Sequence, residues 1–202
     1  MTTFLLVRHG AHDLLGKALA GRAPGVALNG EGVRQAKELV ARLDGHPLDA
    51  IYGSPQQRAQ ETAAPLAASR GLPVGIDAAF DEIDFGEWTG WSFERLRECG
   101  EPWRLWVERK SVACPPGGEA FASVARRAMT GIERLARLHP HGQVLLVSHG
   151  DVLKAVVASC LGVSLDHLQR FEIAPASLSV VVTGPGWFQV KLVNGHCGPP
   201  PG

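Results

Sequence analysis

The chain has 202 residues, 45% hydrophobic and 20% charged, which suits one domain with a modest insertion and a substantial buried core. Its 20 Lys plus Arg balance 20 Asp plus Glu, which argues against bulk binding of nucleic acid or an anionic membrane surface, since both need a basic excess. Cys99, Cys114, Cys160 and Cys197 are widely spaced, with no Cys-x-x-Cys pair, so neither a cysteine metal site nor a disulfide framework is indicated. The opening apolar run, Phe4 to Val7, is too short for a signal peptide, and nothing approaches the roughly 20 apolar residues of a membrane span. A reduced, cytoplasmic, soluble protein is expected.

In chain order, Phe4-Leu5-Leu6-Val7 reads as a buried central strand that delivers Arg8-His9-Gly10 to a turn. Residues 30–43 read as an amphipathic helix with Val33, Ala36, Leu39, Val40 and Leu43 on one face. A short strand at 49–52 leads into a helix at 55–70, with Ser54 as N-cap and Pro55 at the first helical position. Residues 74–76 predict a brief strand. Residues 81–118, rich in Trp, Gly and Pro, read as a cap-like insertion with helical pieces near 92–98 and 102–109. A long helix at 119–138 precedes a second apolar strand, Val144-Leu145-Leu146-Val147, which again ends in a polar turn, Ser148-His149-Gly150. A helix at 151–161 and closing strands at 171–173, 178–182 and 188–192 complete a domain of residues 1–197, followed by a disordered tail at 198–202. Alternating strands and helices predict an α/β fold, a three-layer α/β/α sandwich around a largely parallel sheet.

Two apolar strands that each end in a His-Gly turn are the main chemical signal. In open α/β sheets ligands bind beyond the carboxyl ends of the strands, so His9 and His149 are expected to share one crevice. Arg8 and Arg58 can each present a bidentate fork to phosphate oxygens. Arg58 sits close to a helix start that favours anions, and Arg8, directly after a buried strand, needs an anionic partner. Their guanidinium charges disfavour an imidazolium and help keep His9 neutral. Four carboxylates, Asp81, Glu82, Asp84 and Glu87, compete to protonate a leaving group. Trp88, Trp91, Trp103 and Trp106 read as core. His139 and His141 lack a carboxylate partner at ligand spacing, and neither a metal nor a cofactor is expected.

Taken together, Leu6-Val7-Arg8-His9-Gly10, Leu28-Asn29-Gly30-Glu31-Gly32 and the block from Tyr52 through Ser54, Arg58 and Thr62 to Ala63 resemble the histidine phosphatase superfamily, the phosphoglycerate mutase-like proteins. Asp81 to Gly90, Pro116-Gly117-Gly118-Glu119 and Val147-Ser148-His149-Gly150 extend the resemblance in the family's order and spacing. The resemblance implies that His9 is the nucleophile and becomes a phosphohistidine, and that His149 donates a hydrogen bond to the phosphoryl oxygens. It also selects Glu82, four residues before Gly86, as general acid. The pattern breaks after the first turn: Ala11-His12-Asp13-Leu14-Leu15 replaces a segment that in most members carries an Asn to the phosphate. His12 and Arg22 are candidates to replace that contact.

These residues point to a metal-independent phosphatase acting on a small phosphorylated metabolite. A phosphomutase of the phosphoglycerate mutase type differs only in the acceptor of the phosphoryl group. Arg95, Arg97, Arg104, Arg109 and Lys110 of the cap alternate with Glu94, Glu98, Glu101 and Glu108 as solvated helix faces do, which favours hydrolysis. A catalytically silent phosphate-binding protein would have lost one of Arg8, His9, Arg58, Glu82 or His149, and all are present. The oligomeric state stays open, a homodimer being one option.

Overall fold

The computed structural model describes residues 1–195; the tail at 198–202 lies outside the described residues. Six strands form one sheet in the order β3-β2-β4-β1-β5-β6. They are β1 (Thr2–Arg8), β2 (Ala50–Gly53), β3 (Val74–Ile76), β4 (Gln143–Ser148), β5 (Leu178–Gly184) and β6 (Trp187–Gly195). The first four run parallel, while β5 pairs antiparallel with β1 and with β6. Helices α1 (Gly30–Arg42), α2 (Gln57–Arg70), α3 (Phe93–Arg97), α4 (Glu101–Glu108), α5 (Phe121–Leu138) and α6 (Gly150–Leu161) accompany it.

The three layers follow from the two-residue period of a strand. On β1, Phe4 and Leu6 enter the core shared with Val124, Ile132 and Leu135 of α5 and Val152 and Val156 of α6. Leu5 and Val7 enter the opposite core, with Leu39 of α1 and Ala59, Ala63 and Leu66 of α2. A strand buried on both faces must be apolar at every position, which is why Phe4 to Val7 is a continuous run. Each such side chain contributes about 1.5–3 kcal/mol on burial.

Several expected details are corrected. Val33 is exposed, and Gly32 faces inward instead. Helix α2 starts at Gln57 with Gln56 as N-cap; the Ser54 hydroxyl, just before it, accepts from Gln56 N (3.2 Å) and from His149 and donates to Asp81. Residues 171–173 are not a strand; β5 already occupies that edge of β1, and the Ile173 carbonyl accepts from Arg8 Nη1 (2.7 Å). Trp88 and Trp106 are buried as expected, and Trp91 and Trp103 pack against the same cluster. Lys110 is no solvated cap residue: it is buried, with Nζ 4.1 Å from the Trp106 ring centre and 3.9 Å from Asp151 Oδ2.

The turn after β1 lies directly on the first turn of α1. A Cβ on Gly32 would run into the Ala11 carbonyl oxygen and stand 2.9 Å from the Ala11 nitrogen. Gly32→Ala is therefore expected to lower the thermal midpoint by roughly 3–10 °C, an overpacking cost of about 1–3 kcal/mol. Calorimetry showing no shift would mean that the turn yields freely.

Candidate active site

Strand register brings the two histidines together. Val7 pairs with Val147 and Arg8 with Ser148, so His9 and His149 leave neighbouring strand ends at the same level, with ring centres 5.1 Å apart. The β2–β4 register places Gly53 beside Val147 and brings Ser54 to the same edge. Helix α2 then carries Arg58 at its second position, buried to 1% exposure. Arg8, His9, His12, Leu15, Arg58, Glu82 and Lys154 are among the residues lining a cavity of about 240 Å³ at this end of the sheet.

His9 is held in one tautomer. Its Nδ1 lies 2.8 Å from the Gly10 carbonyl oxygen, which can only accept, so Nδ1 carries the proton and Nε2 keeps a lone pair. Burial holds its pKa well below the usual histidine value, with Arg58 and then Arg8 adding to the effect. Desolvation thus outweighs the guanidinium charges invoked from sequence. The turn itself is pinned by Thr62, whose Oγ1 accepts from Gly10 N (3.0 Å) and donates to the Arg58 carbonyl (2.7 Å).

His149 is fixed by a chain of hydrogen bonds. Arg58 Nη2 donates to its Nδ1 (3.2 Å), so Nε2 bears the proton and donates to Ser54 Oγ (2.7 Å). The Ser54 hydroxyl donates in turn to Asp81 Oδ1 (3.3 Å). In this arrangement the donor face of His149 is turned to Ser54. Its Nδ1 lies 3.4 Å from Glu82 Oε2.

Glu82 stands 3.7 Å from Arg58 Nη2, and burial pushes its pKa up to about 7 against the opposing pull of Arg58, Asp151 adding to the rise. A carboxyl near 7 can hold a proton at neutral pH. Its backbone is gripped from both sides. The Glu82 carbonyl accepts from Arg22 Nε (2.8 Å) and Arg127 Nη2 (3.2 Å), and Asp81 Oδ1 accepts from the Glu82 N–H (2.7 Å). Glu119 ties the two arginines together, so α5 begins at Phe121 rather than Glu119.

The structure thus brings Arg8, His9, His12, Arg58 and Glu82 to one cavity, with His149 in contact with His9, Arg58 and Glu82. Arg22 is not brought there: its guanidinium is engaged by Glu82, Asp81 and Glu119. His12 does arrive, with its ring centre 5.2 Å from that of His9 and its pKa lowered to about 4, chiefly by burial. Leu15 lines the cavity as the apolar residue expected at that position. Sequence reasoning missed Thr62, the Ser54–Asp81 relay and Lys154. Asp81 was within reach, as the acid next to Glu82 and thus able to face the serine at the end of β2. Gly150 after His149 also has a reason: a Cβ there would stand 3.1 Å from Arg8 Cζ.

Four buried nitrogens in this cluster have no partner: Arg8 Nε, Arg58 Nε and Nη1, and His12 Nδ1. Buried donors left unpaired are costly, and three of these are guanidinium nitrogens, which an anion satisfies. Donor atoms of His9, Glu82 and His149 lie within 4.8 Å of one another, close enough to hold a metal ion. Arg58, within 3.7 Å of two of the three residues, would repel a cation there, so the donor set fits an anion better than a metal.

Two histidines and two arginines thus converge at the carboxyl edge of a layered α/β sheet. The chain belongs to the histidine phosphatase superfamily (branch 1), whose family model matches residues 4–196. It is 35% identical over 198 residues to mycobacterial relatives that include the Bifunctional protein Rv2228c of Mycobacterium tuberculosis, covering 96% of this chain and 54% of that one. It thus spans about half the length of those relatives. Phosphoserine phosphatase 1 of Hydrogenobacter thermophilus is 34% identical over 185 residues, covering 90% of this chain and 86% of that one. Among solved structures, Bacillus stearothermophilus YhfR superposes with a TM-score of 0.91 at 29% identity, over 98% of each chain.

Proposed function

We propose that this chain is a metal-independent phosphatase that hydrolyses small phosphomonoesters through a phosphohistidine on His9. One observation carries the reading: unpartnered buried guanidinium nitrogens of Arg8 and Arg58 surround a histidine whose Nε2 is unprotonated. The dianionic phosphoryl group takes those donors, and His12 supplies a further contact in place of the missing Asn. His9 Nε2 attacks phosphorus; the N–P bond forms as the P–O bond to the leaving group breaks. Glu82 gives its proton to the departing oxygen. Water then attacks the phosphohistidine, returning a proton to Glu82 and releasing phosphate.

His149 joins the phosphoryl cradle when Arg58 turns its donors to phosphate. Ser54 can then rotate its hydroxyl to donate to Nε2, which places the His149 proton on Nδ1. Arg22 and Arg127 hold the Glu82 backbone in register and leave the cavity to smaller groups. The segment 81–118 acts as a cap, lending Glu82, Phe85 and Phe93 to the cavity wall. None of the cap's Arg95, Arg97, Arg104, Arg109 and Lys110 lines that cavity, which favours water over a second phosphorylated group as partner and hydrolysis over mutase chemistry. Cys99, Cys114 and Cys160 are free thiols, in keeping with a cytoplasmic setting, and among the described residues no helix is long and apolar enough to cross a membrane.

The test is a panel of phosphomonoesters followed for phosphate release and for phosphohistidine, with and without a chelator. Release that persists in chelator, with a phosphoenzyme trapped on His9, is expected. Release abolished by the chelator would overturn the metal-independent mechanism, and isomerised ester without release would mean a mutase.

A further inference from the structure

The cavity wall is asymmetric. Leu15, Leu19, Phe85 and Phe93 line it without a single side-chain donor or acceptor, whereas Asp151, Lys154 and Glu172 bring charge. Asp151 has its own cation in Lys110, at 3.9 Å. Lys154, on the second turn of α6, is different: its side chain is 9% exposed, and its ammonium donates to Glu172 Oε2 at 3.2 Å. Glu172 is 61% exposed and also stands 3.8 Å from Arg8 Nη1.

The two partners are not equivalent. A buried ammonium is held in place and needs an anion nearby. An exposed carboxylate can swing into water at little cost, because surface ion pairs are worth about 0–1 kcal/mol. The fixed element of the wall is therefore a cation, and Glu172 is a replaceable carboxylate resting on it. We infer that the buried ammonium of Lys154 in the cavity wall is a carboxylate subsite, so that the favoured substrates are short phosphomonoesters whose leaving group carries a carboxylate, which displaces Glu172. The apolar wall offers nothing to the hydroxyl array of a sugar, and the volume of about 240 Å³ suits a leaving group of a few carbons. This inference rests on the phosphatase reading of the His9 site.

The experiment compares esters that differ by the carboxylate: phosphoglycolate against 2-hydroxyethyl phosphate, and phosphoserine against phosphoethanolamine. Wild-type kcat/KM is expected to favour the carboxylate member of each pair by about tenfold or more, the scale of one charge-assisted hydrogen bond. Lys154→Met is expected to collapse that ratio toward one, mainly through KM for the carboxylate ester, while Lys154→Arg keeps it. Glu172→Gln, which removes the internal competitor, is expected to raise it, and this variant judges the inference even if Lys154→Met does not fold. A wild-type ratio near one in both pairs, or a Glu172→Gln ratio below that of the wild type, would overturn the carboxylate subsite while leaving the phosphatase intact. Absence of phosphate release from all four esters would overturn both.

Discussion

His9→Ala is expected to lower kcat for any phosphomonoester by a factor on the order of 10⁴–10⁶, the range seen when a nucleophile acting within a catalytic unit is removed. The size follows from the tautomer of His9: Nδ1 is committed to the Gly10 carbonyl, leaving Nε2 with a free lone pair to attack. His149 cannot substitute: its Nε2 faces Ser54, and once Arg58 turns to phosphate its Nδ1 carries the proton. Anion binding is expected to survive, since Arg8 and Arg58 supply it. Inorganic phosphate should therefore still raise the unfolding temperature of His9→Ala, whereas Arg58→Met should lose most of that rise. The decisive measurement pairs turnover with trapping of the phosphoenzyme. Undiminished turnover in His9→Ala would sink the phosphohistidine mechanism.

Glu82→Gln is expected to cut kcat by about 10²–10⁴ for alkyl phosphates, whose leaving alkoxide needs a proton. The loss should be much smaller for p-nitrophenyl phosphate, whose phenolate departs without one. The pH dependence has a definite sign. An acid must be protonated to act, so kcat should fall as pH rises through about 7, the value to which burial pushes Glu82. His9 stays neutral across this range because burial and the two arginines hold its pKa well below the usual value. The alkaline limb should therefore belong to Glu82 and vanish in Glu82→Gln. If the variant keeps that limb, another group supplies the proton.

The same residue links activity to stability. Its folded pKa of about 7 lies above the ordinary value of 4.5. Its contribution to stability is therefore complete below about pH 4.5 and is lost as pH rises through 7. Above pH 8, Glu82→Gln should be more stable than the wild type, on the order of 2 kcal/mol, and thermal unfolding at pH 5 and pH 8 reads the difference directly.

Much of the fold was legible because the local signals and the tertiary demands agree. Phe4 to Val7 and Val144 to Val147 are apolar at every position, as only strands covered on both faces need to be, and each ends in a histidine followed by glycine. Arg8 and Arg58 were legible as charges too costly to bury without an anion. Boundaries failed where a side chain has further partners: Ser54 accepts from Gln56 N but is shared with His149 and Asp81 ahead of a helix that starts at Gln57, and Glu119 leaves the start of α5 for Arg22 and Arg127. Residues 171–173 looked like a strand because burial of Ile173 needs an apolar residue, and sequence cannot tell that no sheet edge is free to receive it.

By itself the sequence determined the layered α/β class, the pairing of two strand-end histidines, and the set of charged groups around them, because hydrophobic period and residue chemistry are local properties. Only the tertiary structure decided which of four carboxylates lines the cavity: Glu82 does, whereas Asp81 is turned to Ser54, Gln56 and Arg22. It alone placed Arg22 on the backbone of Glu82 instead of in the cavity, and set Lys154 as a buried cation in the wall. Those assignments depend on distances between segments far apart in the chain, 97 residues for Arg22 and Glu119, which no local pattern carries.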